Sequence, residues 1–176
     1  MATKSFSKQR QKVLRELELI GEGQEGICVH ATYSELLPSI MERGLQGRVG
    51  IPQSSTVDSH PFVREELEWL VREHGVREAK SVIAGRIVAG IQMCRATHKK
   101  TPDTVIVFER ISRRRWSGYD RDELVEPNRV EPNRFYAVVS LTPEEKAKKL
   151  TDEEIAKILT NRLIPVVKKN IQQRKL

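Results

Sequence analysis

Cysteine is scarce in this chain: Cys28 and Cys94 are the two present, too few for a disulfide framework. No apolar run approaches the roughly 20 residues needed to span a bilayer, so no membrane partner is expected. The first dozen residues, MATKSFSKQRQK, lack the apolar segment of a secretion signal. The expectation is a soluble, cytoplasmic protein. Nor is the chain poor in apolar residues: 38% are hydrophobic and 31% charged, a globular rather than a disordered composition. At 176 residues it suits one domain whose core is large enough to stand without staples.

What the chain has in excess is positive charge, and it is unevenly spread. The formal net charge is +7. Residues 95–115 carry seven Lys or Arg against two acids, and residues 162–176 carry five bases and no acid. Each segment is therefore +5, and the remainder is net acidic. Such concentration is the electrostatic footprint of a polyanion, and RNA or DNA is the expected partner. Arg113, Arg114 and Arg115 lie beside Trp116 and Tyr119, a mixture that grips phosphate and stacks on bases. Lys168 and Lys169 are the corresponding candidates in the tail. An ordinary charged loop and a solvated tail are the plainer alternative.

Taken in order, residues 7–20 read as an amphipathic helix with Val13, Leu14, Leu17 and Ile20 on one face. Residues 21–26, GEGQEG, match G-x-G-x-x-G formally. That fingerprint needs a strand before it and a helix after it, and here the order is reversed. A kinase reading fails too, because no HRD or DFG triplet follows. The glycines are read as a connector. Residues 27–29 read as a short strand and 46–59 as a long loop. Residues 61–74 read as a helix capped by Gly75, and 77–96 as a longer helix. Residues 104–108, TVIVF, form the clearest strand, apolar throughout and so central and covered on both faces. EPNR occurs at 126–129 and again at 131–134, a local duplication in a loop. Residues 135–141 are a further strand. Thr142 with Glu145, and Thr151 with Glu154, are two capping boxes that open helices. Pro165 is expected to kink or end the second, leaving a basic tail from Val166 that frays in isolation.

The most informative stretch is residues 27–45, ICVHATYSELLPSIMERGL. It reads as a strand delivering His30 and Thr32 to its end, then a helix N-capped by Ser34. Leu36, Leu37, Ile40 and Met41 are its apolar face. Gly44 is the C-cap, and Leu45 makes the cap's hydrophobic contact. His30, Thr32, Leu37, Ile40, Gly44 and Leu45 together resemble the first motif of the ADP-ribosyltransferase superfamily, most closely its RNA 2′-phosphotransferases and DNA-targeting transferases.

The resemblance implies an α+β, ADP-ribosyltransferase-like single domain with NAD as cofactor. Its small sheet would use strands near 27–30, 104–111 and 135–141. Residues 1–26 would form a helix and connector, 27–150 the core, and 151–176 a C-terminal helix and basic tail. His30 and Thr32 would hold NAD, with Arg48 touching phosphate. A carboxylate from a later strand, Glu131 or Glu109, would serve catalysis. The rival reading is a non-enzymatic nucleic-acid-binding module. Cys28 and His30 on a strand, with Cys94 and His98 on a helix, make a zinc-type set on paper. The spacing matches no familiar finger, and no metal is expected.

Overall fold

Alternation along residues 27–32 decides the architecture. Ile27, Val29 and Ala31 point to one face of a strand, and Cys28, His30 and Thr32 to the other. The computed structural model describes residues 26–46, 58–109, 124–125 and 129–174. In it β1 (Gly26–Thr32) is the middle strand of a five-stranded antiparallel sheet. Its neighbours are β3 (Asp58–Val63) and β4 (Thr104–Glu109). β5 (Leu124–Val125) lies outside β3, and β7 (Phe135–Ser140) outside β4. A second sheet holds β2 (Leu45–Gln46) against β6 (Arg129–Val130).

Each face of the main sheet is covered. On the first, Ile27, Val29, Ala31, Val105, Val107 and Val139 meet two long helices, α2 (Arg64–His98) and α4 (Asp152–Gln173). On the second, Cys28, Ile106, Phe108 and Phe135 meet Ile40 of the short helix α1 (Leu37–Arg43), together with Leu45 and Val130 of the small sheet. TVIVF is buried throughout because both covers reach it. The fold is thus α+β, as the sequence indicates. No helix among the described residues is long and apolar enough to cross a membrane.

Several local expectations hold. Thr142 caps the one-turn helix α3 (Pro143–Lys146) and Thr151 caps α4, each with the reciprocal glutamate bond of a capping box. Gly75 interrupts α2 at φ 84° and ψ 173°.

Others are corrected. Residues 61–63, read as the start of a helix, are strand, and the expected loop 46–59 has strand at both ends. Pro61 is tolerated in β3 because β5 pairs Asp58 and Ser59 alone, so on that side no ladder needs its missing N–H. Pro165 does not end α4, which runs on to Gln173. Leu36 and Met41 are exposed at 45% and 52%, so the apolar face of the first helix reduces to Leu37 and Ile40. The helix expected at 7–20, the connector at 21–25 and most of the loop expected at 46–59 lie outside the described residues.

The basic tail is also corrected. Val167 and Ile171 are fully buried in the larger cluster. β4 and β7 shift register between Val107 and Phe108, so that Tyr136 is the extra residue of a bulge. The end of α4 is fastened there. Asn170 Nδ2 donates to the Tyr136 carbonyl. Arg174 Nη2 donates to the Asn133 and Phe135 carbonyls at 2.7 and 3.1 Å, and its guanidinium lies 4.4 Å from the Tyr136 ring centroid.

A chain ending at Val166 loses two fully buried aliphatic side chains, worth roughly 3–6 kcal/mol together. That is comparable to the whole stability of a marginal domain, about 5–15 kcal/mol. The truncated protein is expected to lose cooperative thermal unfolding by circular dichroism. An unchanged transition would show that these contacts carry little of the core.

Candidate functional site

The second face of the sheet changes character along its length. Antiparallel partners point the same way, so the register gives three successive rungs. Cys28 and Phe108 form an apolar rung with Phe135. His30, Ile106 and Val138 form the next. Thr32, Thr104 and Ser140 form a polar one, where the Thr104 and Ser140 hydroxyls are 2.8 Å apart. His30 therefore sits between apolar and polar surface. It is half-buried, whereas Thr32 is 4% exposed. His30 lies within the strand, not at its end, and Thr32 is enclosed by structure.

Beyond the polar rung lies a cluster that sequence reasoning missed. Asp103 precedes β4 and receives four hydrogen bonds. The Ser34 amide and Thr104 hydroxyl donate to Oδ1 at 2.6 and 3.0 Å. The Ser34 hydroxyl donates to Oδ2 at 2.7 Å, and Lys146 Nζ lies 2.5 Å from the same oxygen. Lys146 also donates to Ser34 Oγ at 2.6 Å. Ser34, read as a helix N-cap, makes no side-chain cap; it begins a 3-10 turn (Ser34–Leu36) whose first amide Asp103 satisfies. A signal existed in Thr101-Pro102-Asp103, a turn-type triplet just before the clearest strand. Its partners, far upstream and far downstream in the chain, carried none.

Tyr33 closes the adjoining corner. Its hydroxyl donates to the Lys100 carbonyl at 2.9 Å and accepts from the Cys94 thiol at 3.5 Å. Burial, then the Cys94 bond, push its pKa above the ordinary 10.0. Tyr33 stays protonated.

The two candidate carboxylates are placed differently. Glu109 pairs with Ile27, whose side chain faces the helices. By alternation Glu109 points away from the face that carries His30, so the two cannot act on one ligand. Glu131 follows β6, on the His30 side of the sheet. It is exposed and held by Arg129, Nε to Oε1 at 2.9 Å. Arg48, Arg113, Arg114 and Arg115 lie outside the described residues. Lys168 is half-buried and Lys169 exposed on α4. The four Cys and His residues do not gather: Cys28 is in the smaller cluster, while Cys94 lies on α2 across the sheet. Among the described residues no group of three or more His, Cys, Asp or Glu could hold a metal ion.

Gly44 fixes how closely α1 and the small sheet approach. Its φ of 79° and ψ of 175° belong to a region that is essentially glycine's alone. A Cβ there would also press into the Val130 carbonyl. Comparison with protein-family models, with curated proteins and with solved structures returned no match.

Two expectations follow. Gly75 has backbone angles close to those of Gly44, but a Cβ added there would meet nothing within 4 Å. Gly75→Ala should cost about 1–3 kcal/mol in strain, and Gly44→Ala at least about 1 kcal/mol more by urea unfolding, through the added clash. Equal losses would show that Gly44 serves its backbone angles alone.

Burial alone would raise the Asp103 pKa. The bonds from Lys146, from the Ser34 side chain and amide and from Thr104 outweigh it and hold the carboxyl below its ordinary 3.8. A depressed folded pKa stabilises above the unfolded value, and that contribution is lost as pH falls through the folded one. Asp103→Asn should lower the melting temperature at neutral pH and flatten its fall below about pH 4. An unaltered acid limb would exclude Asp103 as its source.

Proposed function

We propose that this chain is an NAD-binding, ADP-ribosyltransferase-like protein that acts on or beside nucleic acid. The observation that carries the reading is the unit formed by residues 27–45. β1 turns His30, half-buried, toward the side on which α1 and the small sheet lie. α1 stops at Gly44, and Leu45 begins the strand of that second sheet. This is the order of strand, helix, glycine and leucine that the motif requires. A histidine at the border of apolar and polar surface can meet both a ring and a ribose hydroxyl.

NAD would be held by His30 through a hydrogen bond to the ribose. Thr32, being enclosed, would act by shaping the strand rather than by contact. Arg48 follows the motif and would supply charge for phosphate. Of the two carboxylates, Glu131 suits the role by its side of the sheet, and Arg129 would hold it in place. Glu109 does not suit it. The nucleic-acid half of the proposal rests on the net charge of +7 and its concentration in two segments.

Removing a single hydrogen bond to a ligand costs about 1–3 kcal/mol, or up to about a hundredfold in affinity. The test is thermal unfolding of wild type and His30→Ala, each with and without NAD at saturating concentration. His30 lies within a central strand, so some loss of baseline stability in the variant is expected and decides nothing. An NAD-induced rise in the wild type that disappears in the variant supports the reading. No rise in the wild type, or equal rises in both, would sink it.

A further inference from the structure

A groove of about 710 Å³ runs between α2 and α4, on the opposite side of the main sheet from His30. Small residues of α2, Ser81, Ala84 and Gly85, are among its lining, and a Cβ built at Gly85 meets nothing within 4 Å. Arg77 and Lys80 line it from α2 and Lys157 from α4. None of the three has an ion-pair partner among the described residues. Glu78 and Glu153 share the lining, so the local balance of Lys and Arg over Glu is one positive charge. Thr160 also lines the groove, is 2% exposed, and its hydroxyl lacks any hydrogen-bond partner among the described residues. A buried hydroxyl left unmatched is costly.

Beside one lining residue of the groove stands an exposed aromatic. His74, a lining residue, meets Trp69 edge-on with ring centroids 5.1 Å apart. Trp69 is 47% exposed, the one large aromatic so exposed among the described residues. An indole held in place by a neighbour, with its surface open to water, is a stacking platform. Unpaired cations beside such a platform are what single-stranded nucleic acid engages, through phosphate and base in turn. The lining of α2 from Arg77 to Val88 spans about 17 Å, room for a few nucleotides. A double helix would not enter a groove between packed helices.

We infer that the α2–α4 groove is a binding site for single-stranded nucleic acid, with Trp69 stacking a base and Arg77, Lys80 and Lys157 taking phosphates. The inference rests on the nucleic-acid half of the proposal above and gives it a place that the basic segments did not indicate. With three phosphates engaged, affinity should fall by about twentyfold between about 50 and about 200 mM salt.

The experiment uses the full chain carrying Trp116→Phe, which leaves Trp69 as its one indole. The probes are fluorescein-labelled oligothymidylate and oligouridylate of about twelve nucleotides, read by anisotropy, with unlabelled oligomers for tryptophan quenching. The expected result is binding with quenching of Trp69. Trp69→Ala should weaken binding at least about fivefold. The pair Lys80→Glu and Lys157→Glu should weaken it at least about tenfold with an unchanged melting temperature. Gly85→Leu, which fills open space, should weaken it as well. Binding without quenching, unaffected by these changes but lost with Lys168→Glu and Lys169→Glu, overturns the groove and leaves the nucleic-acid reading standing. No binding by the wild-type chain at about 50 mM salt overturns both, and the NAD reading is judged separately by its thermal shift.

Discussion

Asp103 collects hydrogen bonds from three parts of the chain: the exit of β1 at Ser34, the entry of β4 at Thr104 and the short helix α3 at Lys146. The two central strands can be aligned by their ladder alone, but the ladder does not say where the chain goes next. The Asp103 carboxylate does. It turns the chain out of β1 into α1, and the Asp103 backbone adds a bond from its amide to the Thr32 carbonyl and one from the Leu141 amide to its own carbonyl. That anchor acts at the start of the segment that leads to α1, and Gly44 acts at its end; between them Leu37 and Ile40 cover the smaller cluster around Cys28 and Ile106.

The same anchor separates two surfaces of different character. On the α1 side the sheet presents His30 at the edge of a polar rung. On the helix side the sheet is sealed by aliphatic packing, and any surface for a partner must lie on the outer flanks of α2 and α4. The charged residues follow this division. Asp103, Lys146, Arg162 and Glu145 are tied to one another or to backbone near the sheet's end, whereas Arg77, Lys80 and Lys157 have been left unengaged around the groove.

How much of this was legible in the sequence depended on how local its cause was. The two capping boxes, the strand at TVIVF and the stop at Gly44 are each decided within a few residues, and all can be read directly. Pro61 misled because a strand proline's effect depends on whether its missing N–H had a partner to lose; Pro165 does forfeit a helix bond, but buried residues on both sides of it, Leu163 and Val167 among them, hold α4 through it. Leu36 and Met41 have the spacing of a buried face, yet the sheet below α1 is narrow and accepts Leu37 and Ile40 alone. In the candidate site His30 was visible through its motif. Its separation from Glu109 was not, because the side of a strand on which a residue falls depends on register with a strand remote in sequence. The anchoring role of Asp103 was hidden for the same reason: it acts through residues far along the chain.

The bulge at Tyr136 has a bearing on the order of assembly. By inserting one residue into β7 it supplies the carbonyl and ring to which Asn170 and Arg174 attach, and Ile171 enters the core beside it. The larger cluster is therefore closed by residues that a ribosome adds after all its strands. Until then the apolar face of β1 and β4 has α2 for cover and lacks α4. A nascent chain in that condition exposes sheet surface until α4 has been added and can dock.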